Sequence, residues 1–321
     1  MSPETIGKYR LQAPLGESGR GVVYRAEAQD TNQTVALKLL PAGKFPDPAT
    51  RQKFLEQARA AVRLSHPNLR QLYEVGESGD TLYLAMEYLE GVTLKSLLVG
   101  GRVEAETALA WGAEIAEALA AAHAQGVVHG DLRPAKVIIT GQGTVKLLDP
   151  GLWRLSPSAG VDLSGEEKLL ELGLSAAAVA QLAPEQIRGR EPDARSDLFA
   201  LGALLDEMIT GRNPFLGKDA VQTMHLVLRR APQPASQLAP QVPGALDAVL
   251  ARALEKEPKA RFRSAAELAA ALRAVAAGEE LPAEAAKPVV VVRWTRSLWW
   301  GIAGLGAVLA AWFAYLALTR P

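Results

Sequence analysis

The chain has 321 residues, enough for one large or two medium domains with a substantial core. Its 35 Lys and Arg balance 35 Asp and Glu, so no net field recruits nucleic acid or an acidic substrate. The absence of cysteine excludes a disulfide framework and thiolate metal sites, and the four histidines, His66, His123, His129 and His225, show no metal-ligand spacing.

The opening residues lack the apolar core of a signal peptide, and no internal repeat is visible. Residues 9–40 read as strand, glycine turn, strand, strand. Gly16, Gly19 and Gly21 let backbone approach a phosphate closely, and Lys38, in Val35-Ala-Leu-Lys38, can reach the same anion from the following strand. A plain hairpin turn accounts for the glycines when they are taken alone. Residues 50–64 place Phe54, Ala58, Ala61 and Val62 on one face of an amphipathic helix that ends before Ser65-His-Pro67. Residues 69–75 and 81–88 alternate as strands, giving a first lobe of five strands and one helix. After Gly91 the chain becomes helical and alanine-rich, with a short helix over 93–98 and a long one over 104–125 closed by Gly126.

Residues 129–151 combine a tight polar turn, an apolar run, a glycine turn at Gly141 and Gly143, and a second apolar run ending on an acid. The pattern predicts two short strands, each delivering a carboxylate at its edge, Asp131 and Asp149. Two acids so placed suit a site where one side chain orients a proton and the other holds a metal on a phosphate. An ordinary hairpin with Asp in its turns fits the same residues. Further on, Ser164-Gly-Glu-Glu167 reads as a capping box, predicting a short helix with Leu169, Leu170 and Leu172 on its apolar face and packing across the cleft.

The C-terminal residues 298–318 carry no charge and are apolar all round; as a helix they would reach about 30 Å, the thickness of a hydrocarbon core. Trp294, Trp299 and Trp300 at one boundary and Tyr315 near the other suit interfacial anchors. Arg293 and Arg296 precede the span and only Arg320 follows it, which puts the N-terminal part on the cytoplasmic side of a plasma or inner membrane. Gly306, Ala310 and Ala314 form a small-residue ridge that could pair two such helices, while a buried terminal helix is the competing reading.

From about Tyr9 to about Val275 the chain resembles the eukaryotic-like serine/threonine protein kinases of bacteria, with each landmark in order. The lid Gly16, Ser18 and Gly21, with Val23 after it, resembles the phosphate-covering loop, and Lys38 matches the lysine that holds the α and β phosphates. Met86 falls at the gatekeeper position and Glu87, Tyr88 and Leu89 at the adenine-binding hinge. His129-Gly-Asp131 matches the catalytic loop, Asp149-Pro-Gly151 the magnesium motif and Ala183-Pro-Glu185 the end of the activation segment. Asp197 matches the acid that props the catalytic loop, and Arg261 the arginine that pairs with Glu185. The resemblance implies an α+β bilobal protein-kinase fold, with a small lobe over 9–88, a mostly helical large lobe over 89–277, a linker over 278–297 and a transmembrane helix over 298–318. It also implies ATP and Mg²⁺ as cofactors and a protein substrate or partner.

The departures from the family pattern cluster in the site. Ser18 stands at a lid glycine. Gln57 takes the place of the glutamate opposite Lys38, where it could still accept a hydrogen bond from that lysine. Gly130 replaces an arginine that reads activation-segment phosphate, and Arg133 replaces a lysine that touches the transferred phosphate. Lys136 occupies the position of the asparagine that ligates a second Mg²⁺, and an ammonium cannot be a metal ligand. Pro150 replaces a phenylalanine. Ala177, Ala178 and Gln181 replace the Gly-Thr pair and aromatic that hold the substrate platform.

Three readings follow. The first is a membrane-anchored pseudokinase or very weak kinase that binds ATP, with a single Mg²⁺ or none, and signals through partner contacts or homodimers. The second is an active kinase in which Asp131 orients a Ser or Thr hydroxyl, Asp149 holds Mg²⁺, and Arg133 and Lys136 face the γ-phosphate. The third is a nucleotide-free scaffold anchored by its tail.

Overall fold

The computed structural model describes residues 5–18, 21–41, 43, 45, 47–155 and 159–281. The chain divides into a unit over 1–287 and a second over 288–321. The predicted transmembrane segment 298–318 and the greater part of the linker lie outside the described residues, and among those described no helix is long and apolar enough to cross a membrane.

Alternating apolar residues build the first sheet. Its strands are β1 (Thr5–Ile6), β2 (Tyr9–Ser18), β3 (Gly21–Ala28), β4 (Thr34–Pro41), β5 (Leu72–Ser78) and β6 (Thr81–Glu87). They pair antiparallel in the order β1-β2-β3-β4-β6-β5. The short β1, which pairs Thr5 with Arg10, makes six strands where five are expected. Central β4 and β6 are buried on both faces, so they read as nearly continuous apolar runs. One helix, α1 (Pro48–Val62), packs on this sheet. Asp47 caps it, accepting from the Thr50 amide at 2.8 Å, and Pro48 opens the first turn where its missing N–H costs nothing. Phe54, Leu55, Ala58 and Ala61 form its buried stripe, and each large member contributes about 1.5–3 kcal/mol.

A second sheet contains β7 (Gly91–Thr93), β8 (Val137–Thr140) and β9 (Val145–Leu147) in that order. The hairpin of β8 and β9 closes through the Gly143 amide on the Thr140 carbonyl, with Gly143 in the left-handed region at φ 80°.

The large lobe is helical: α2 (Leu94–Val99), α3 (Ala105–Ala124), α4 (Glu166–Glu171), α5 (Ala176–Val179), α6 (Pro184–Ile187), α7 (Ala194–Thr210), α8 (Ala220–Arg229), α9 (Ala235–Leu238), α10 (Ala245–Ala253) and α11 (Ala265–Ala277). The alanine richness of α3 lets α7 and α11 approach closely; at Gly112 a β-carbon would meet Leu205 and Leu272 at 3.3 and 3.4 Å. Helix α7 is buried nearly all round, capped by Asp193 at its start and stopped by left-handed Gly211. It is the axis of the lobe.

Helix α4 forms where the 164–172 pattern predicts one, but two expectations about it fail. Gly165 is its N-cap, because the Ser164 hydroxyl is drawn back to Asp162 at 2.6 Å. It also does not pack across the cleft. Leu169 is buried in the large lobe with Phe199, Phe215, Met224 and Val227, while Leu170 points outward. The large lobe already offers an apolar surface of matching size, and burial there outcompetes a bridge to the small lobe.

Candidate functional site

The catalytic-loop region is held from below by one carboxylate. Asp197, in the first turn of α7, accepts from the His129 and Gly130 amides at 2.8 and 2.7 Å and contacts His123 Nε2 at 2.8 Å. His129 is fully buried; its Nε2 faces the Leu148 carbonyl at 2.8 Å and its Nδ1 accepts from the Asp131 amide at 3.2 Å. Burial pushes its basicity below the ordinary value, consistent with a neutral ring donating through Nε2. Asp131 is thereby presented at the surface of the loop. Arg133 donates to it at 3.1 Å, so the loop cation turns onto the acid itself.

Gly130 sits at φ 68°, and a β-carbon there would meet the buried Trp153 ring at 2.6 Å. An arginine at this position has neither backbone nor space. Activation-segment contact comes instead from Gln186, which donates to the Gly130 carbonyl at 2.9 Å.

Lys38 on β4 is 2% exposed. Burial lowers its basicity to about 8, opposed by Asp149 and reinforced by Lys136 and Arg70. The expected hydrogen bond from Lys38 to Gln57 does not form: Gln57 Oε1 is buried with no partner among the described residues. The main-chain carbonyl of Gln57 lies behind the Gly151 turn.

Asp149 ends the hairpin in a left-handed conformation, φ 58°. Both its oxygens are taken. Lys136 donates to Oδ2 at 2.5 Å, and Arg70 pairs with Oδ1. Burial alone would push the carboxyl up, but Arg70, Lys136 and Lys38 outweigh it and hold the group well below the usual carboxylate range. Arg70 is the member that sequence reasoning missed. It precedes β5, is tied by its amide to the Leu147 carbonyl at 2.9 Å, and also reaches Met86 Sδ at 3.0 Å. No motif marks it: Leu69-Arg-Gln-Leu72 carries no pattern that singles out the arginine.

Around the cleft, Val23 is partly buried against the main core and pairs across the sheet with Gly16. At Gly21 a β-carbon would overlap the Leu39 carbonyl, so glycine is obligatory. Ser18 ends β2 opposite Gly21. Met86 is buried at the end of β6. The Glu87 side chain is held by Lys146 at 2.9 Å, Tyr88 carries Arg25 over its ring, and Leu89 follows at intermediate exposure. Beside Asp131, a groove of about 340 Å³ is lined by Arg133, Leu174, Ala177, Ala178, Gln181 and Glu207 among others. Helix α5 forms its wall where the platform threonine is absent, and Gln181 reaches Glu207 at 3.5 Å while its Oε1 has no partner among the described residues.

Deep in the large lobe, Arg261 forks onto Glu185 with two 2.8 Å bonds, and Ser196 adds a third at 2.6 Å. Burial raises the Glu185 carboxyl, and Arg261 with Ser196 brings it below its usual range. This buried fork ties the end of the activation segment to the axis helix, and Asp197 in the same helix ties down the catalytic loop. That shared anchorage, under a strand-rich lobe carrying a buried lysine, defines the protein-kinase fold.

Comparison with known proteins agrees. Residues 9–271 match the protein kinase domain family, and the chain belongs to it. It is 34% identical over 285 residues to a probable serine/threonine-protein kinase of Streptomyces coelicolor, covering 87% of this chain and 42% of that protein. It is 37% identical over 269 residues to the serine/threonine-protein kinase PknH of Mycobacterium tuberculosis, covering 83% and 41%. The crystal structure of the M. tuberculosis PknI kinase domain is similar with a TM-score of 0.66 and 28% identity, covering 86% of this chain and 99% of that one. The chain spans less than half the length of these curated relatives.

The family in general uses ATP and Mg²⁺. The residues present suit a phosphate chain, since Lys38, Arg70 and Lys136 converge on one acid. They do not suit Mg²⁺. Each oxygen of Asp149 faces a cation, and an ammonium stands at the second ligand position. A divalent ion about 5 Å from one unit cation, at an effective dielectric near 20, is repelled by roughly 7 kcal/mol, as much as one carboxylate there attracts it, and Arg70, Lys136 and Lys38 surround the single Asp149 charge.

Proposed function

We propose that this chain is a membrane-anchored protein-kinase-like protein that binds ATP and signals through protein partners, with little or no phosphoryl transfer. The observation that carries the reading is the Asp149 carboxylate with a cation on each oxygen, where the metal on which transfer depends would be repelled by both. Two further features support it. The glutamine opposite Lys38 makes no bond to it, and the groove beside Asp131 lacks the platform hydroxyl. Residues 298–318 supply the membrane anchor, with the kinase-like domain on the cytoplasmic side of an inner or plasma membrane, and pairing through the Gly306, Ala310 and Ala314 ridge brings two copies together.

A second reading, an active serine/threonine kinase, is favoured by one observation: Asp131 is presented on a fully braced loop. Labelling from radioactive ATP decides between them. The intact chain is expected to incorporate no more label than Asp131→Asn with Mg²⁺ or Mn²⁺; label above that variant overturns the first reading. ATP is expected to raise the melting temperature, because a ligand that binds only the folded state stabilises it. Deleting 298–318 is expected to release the protein from the membrane fraction.

A further inference from the structure

The cations on Asp149 come from separate parts of the chain. Lys136 lies in the turn before β8, and Arg70 lies before β5, fixed by its own backbone bond to β9. Neither arrived by extending the other's segment, yet each takes one carboxylate oxygen. The charged groups facing one another here are Lys38, Arg70, Lys136 and Arg133 against Asp149 and Asp131, and their formal charges sum to +2. A divalent cation entering this group would meet the positive charge that it normally supplies. A polyanion would meet what it needs: an ammonium has three donors and a guanidinium five, so both can keep Asp149 and still donate to phosphate oxygens.

We propose that the cleft recognises the phosphate chain of a metal-free nucleoside triphosphate, with Arg70 and Lys136 as built-in counter-ions, and that Mg²⁺ competes with the protein for this ligand. The proposal rests on the reading of the chain as a nucleotide-binding protein of low transfer activity, and it names the ionic form of the ligand. Arg70 is the selecting residue. Without it the Oδ1 side of Asp149 loses a cation that repels a metal, and with it the acid serves to hold a phosphate donor in place.

The test is calorimetric titration of the full chain in detergent with ATP and with inorganic tripolyphosphate, each in EDTA and in excess Mg²⁺. Both probes are expected to bind in EDTA and to weaken at least tenfold in Mg²⁺. Arg70→Leu is expected to weaken the binding in EDTA by about tenfold, on the order of one charge-assisted hydrogen bond, and Arg70→Lys to retain most of it. The Arg70→Leu/Lys136→Asn double variant is expected to gain Mn²⁺ binding, read by water-proton relaxation. Binding of ATP only when Mg²⁺ is present overturns the proposal and leaves nucleotide binding intact. Failure of both probes in both conditions overturns it together with the ATP-binding part of the proposed function. The metal dependence of the unmodified chain decides the matter even if the Leu variants fail to fold.

Discussion

Replacing Gly130 by alanine isolates the reason this chain has no arginine between His129 and Asp131. The residue lies at φ 68°, and a β-carbon would sit 2.6 to 2.8 Å from three atoms of the Trp153 side chain. The left-handed backbone costs a residue with a side chain roughly 1–2 kcal/mol. Forcing the buried indole aside adds roughly 1–3 kcal/mol of overpacking. The ring has little room to yield, since Arg154 lies over it at 4.4 Å and is itself anchored to Glu191 at 2.7 Å. The expected loss is about 2–5 kcal/mol, or ~4 to 10 °C in melting temperature for a domain of this size. Thermal unfolding followed by circular dichroism measures it. In a double-mutant cycle with Trp153→Ala the steric part is expected to vanish and the backbone part to remain. A Gly130→Ala protein melting within a degree of the parent would mean that the ring does not occupy the space above the loop.

Three other outcomes are expected. Lys38 has a folded-state basicity lowered to about 8 from 10.5, so between those values the unfolded chain holds a proton that the folded one has released; stability rises with pH across that window. Urea titrations should show this rise in the parent and its loss in Lys38→Met. Asp206, buried near Asp247 and Glu207, has its carboxyl raised by burial to about 7 from 3.8, so its contribution is present below 3.8 and lost as pH climbs to 7. Asp206→Asn should therefore stabilise the protein more at pH 7.5 than at pH 5, and equal gains would contradict that burial effect. Removing one partner of the Glu185–Arg261 fork should cost about 3–5 kcal/mol, whereas a Glu185→Leu/Arg261→Met double variant should recover much of that loss in denaturant midpoints.

Much of this was legible in the order of short motifs, because Asp131, Asp149, Glu185, Asp197 and Arg261 each lie in a local pattern that the fold uses locally. The helix over 166–171 was legible for the same reason, from leucines spaced on one face. Its docking direction was not, since Leu169 chooses between two apolar surfaces that only the folded chain creates. Arg70 escaped altogether. It stands 79 positions from Asp149 in a stretch that reads as strand, and the backbone bonds that tie Asn68 and Arg70 to Leu147 bring the two together. Gln57 failed the other way: its place on α1 suggested a bond to Lys38, and the acceptor oxygen instead stays buried and alone among the described residues.

The bonds that Asp197 accepts from the His129 and Gly130 amides have a bearing on how kinase relatives are sorted by motif. They shape the loop through its backbone, without using the Asp131 carboxylate at all. A chain could shed its chemistry and still be obliged to keep this turn, because the buried charge on the axis helix would otherwise be left with His123 alone. The His-Gly turn is thus held for architectural reasons, and a catalogue that counts it as proof of turnover will over-count enzymes.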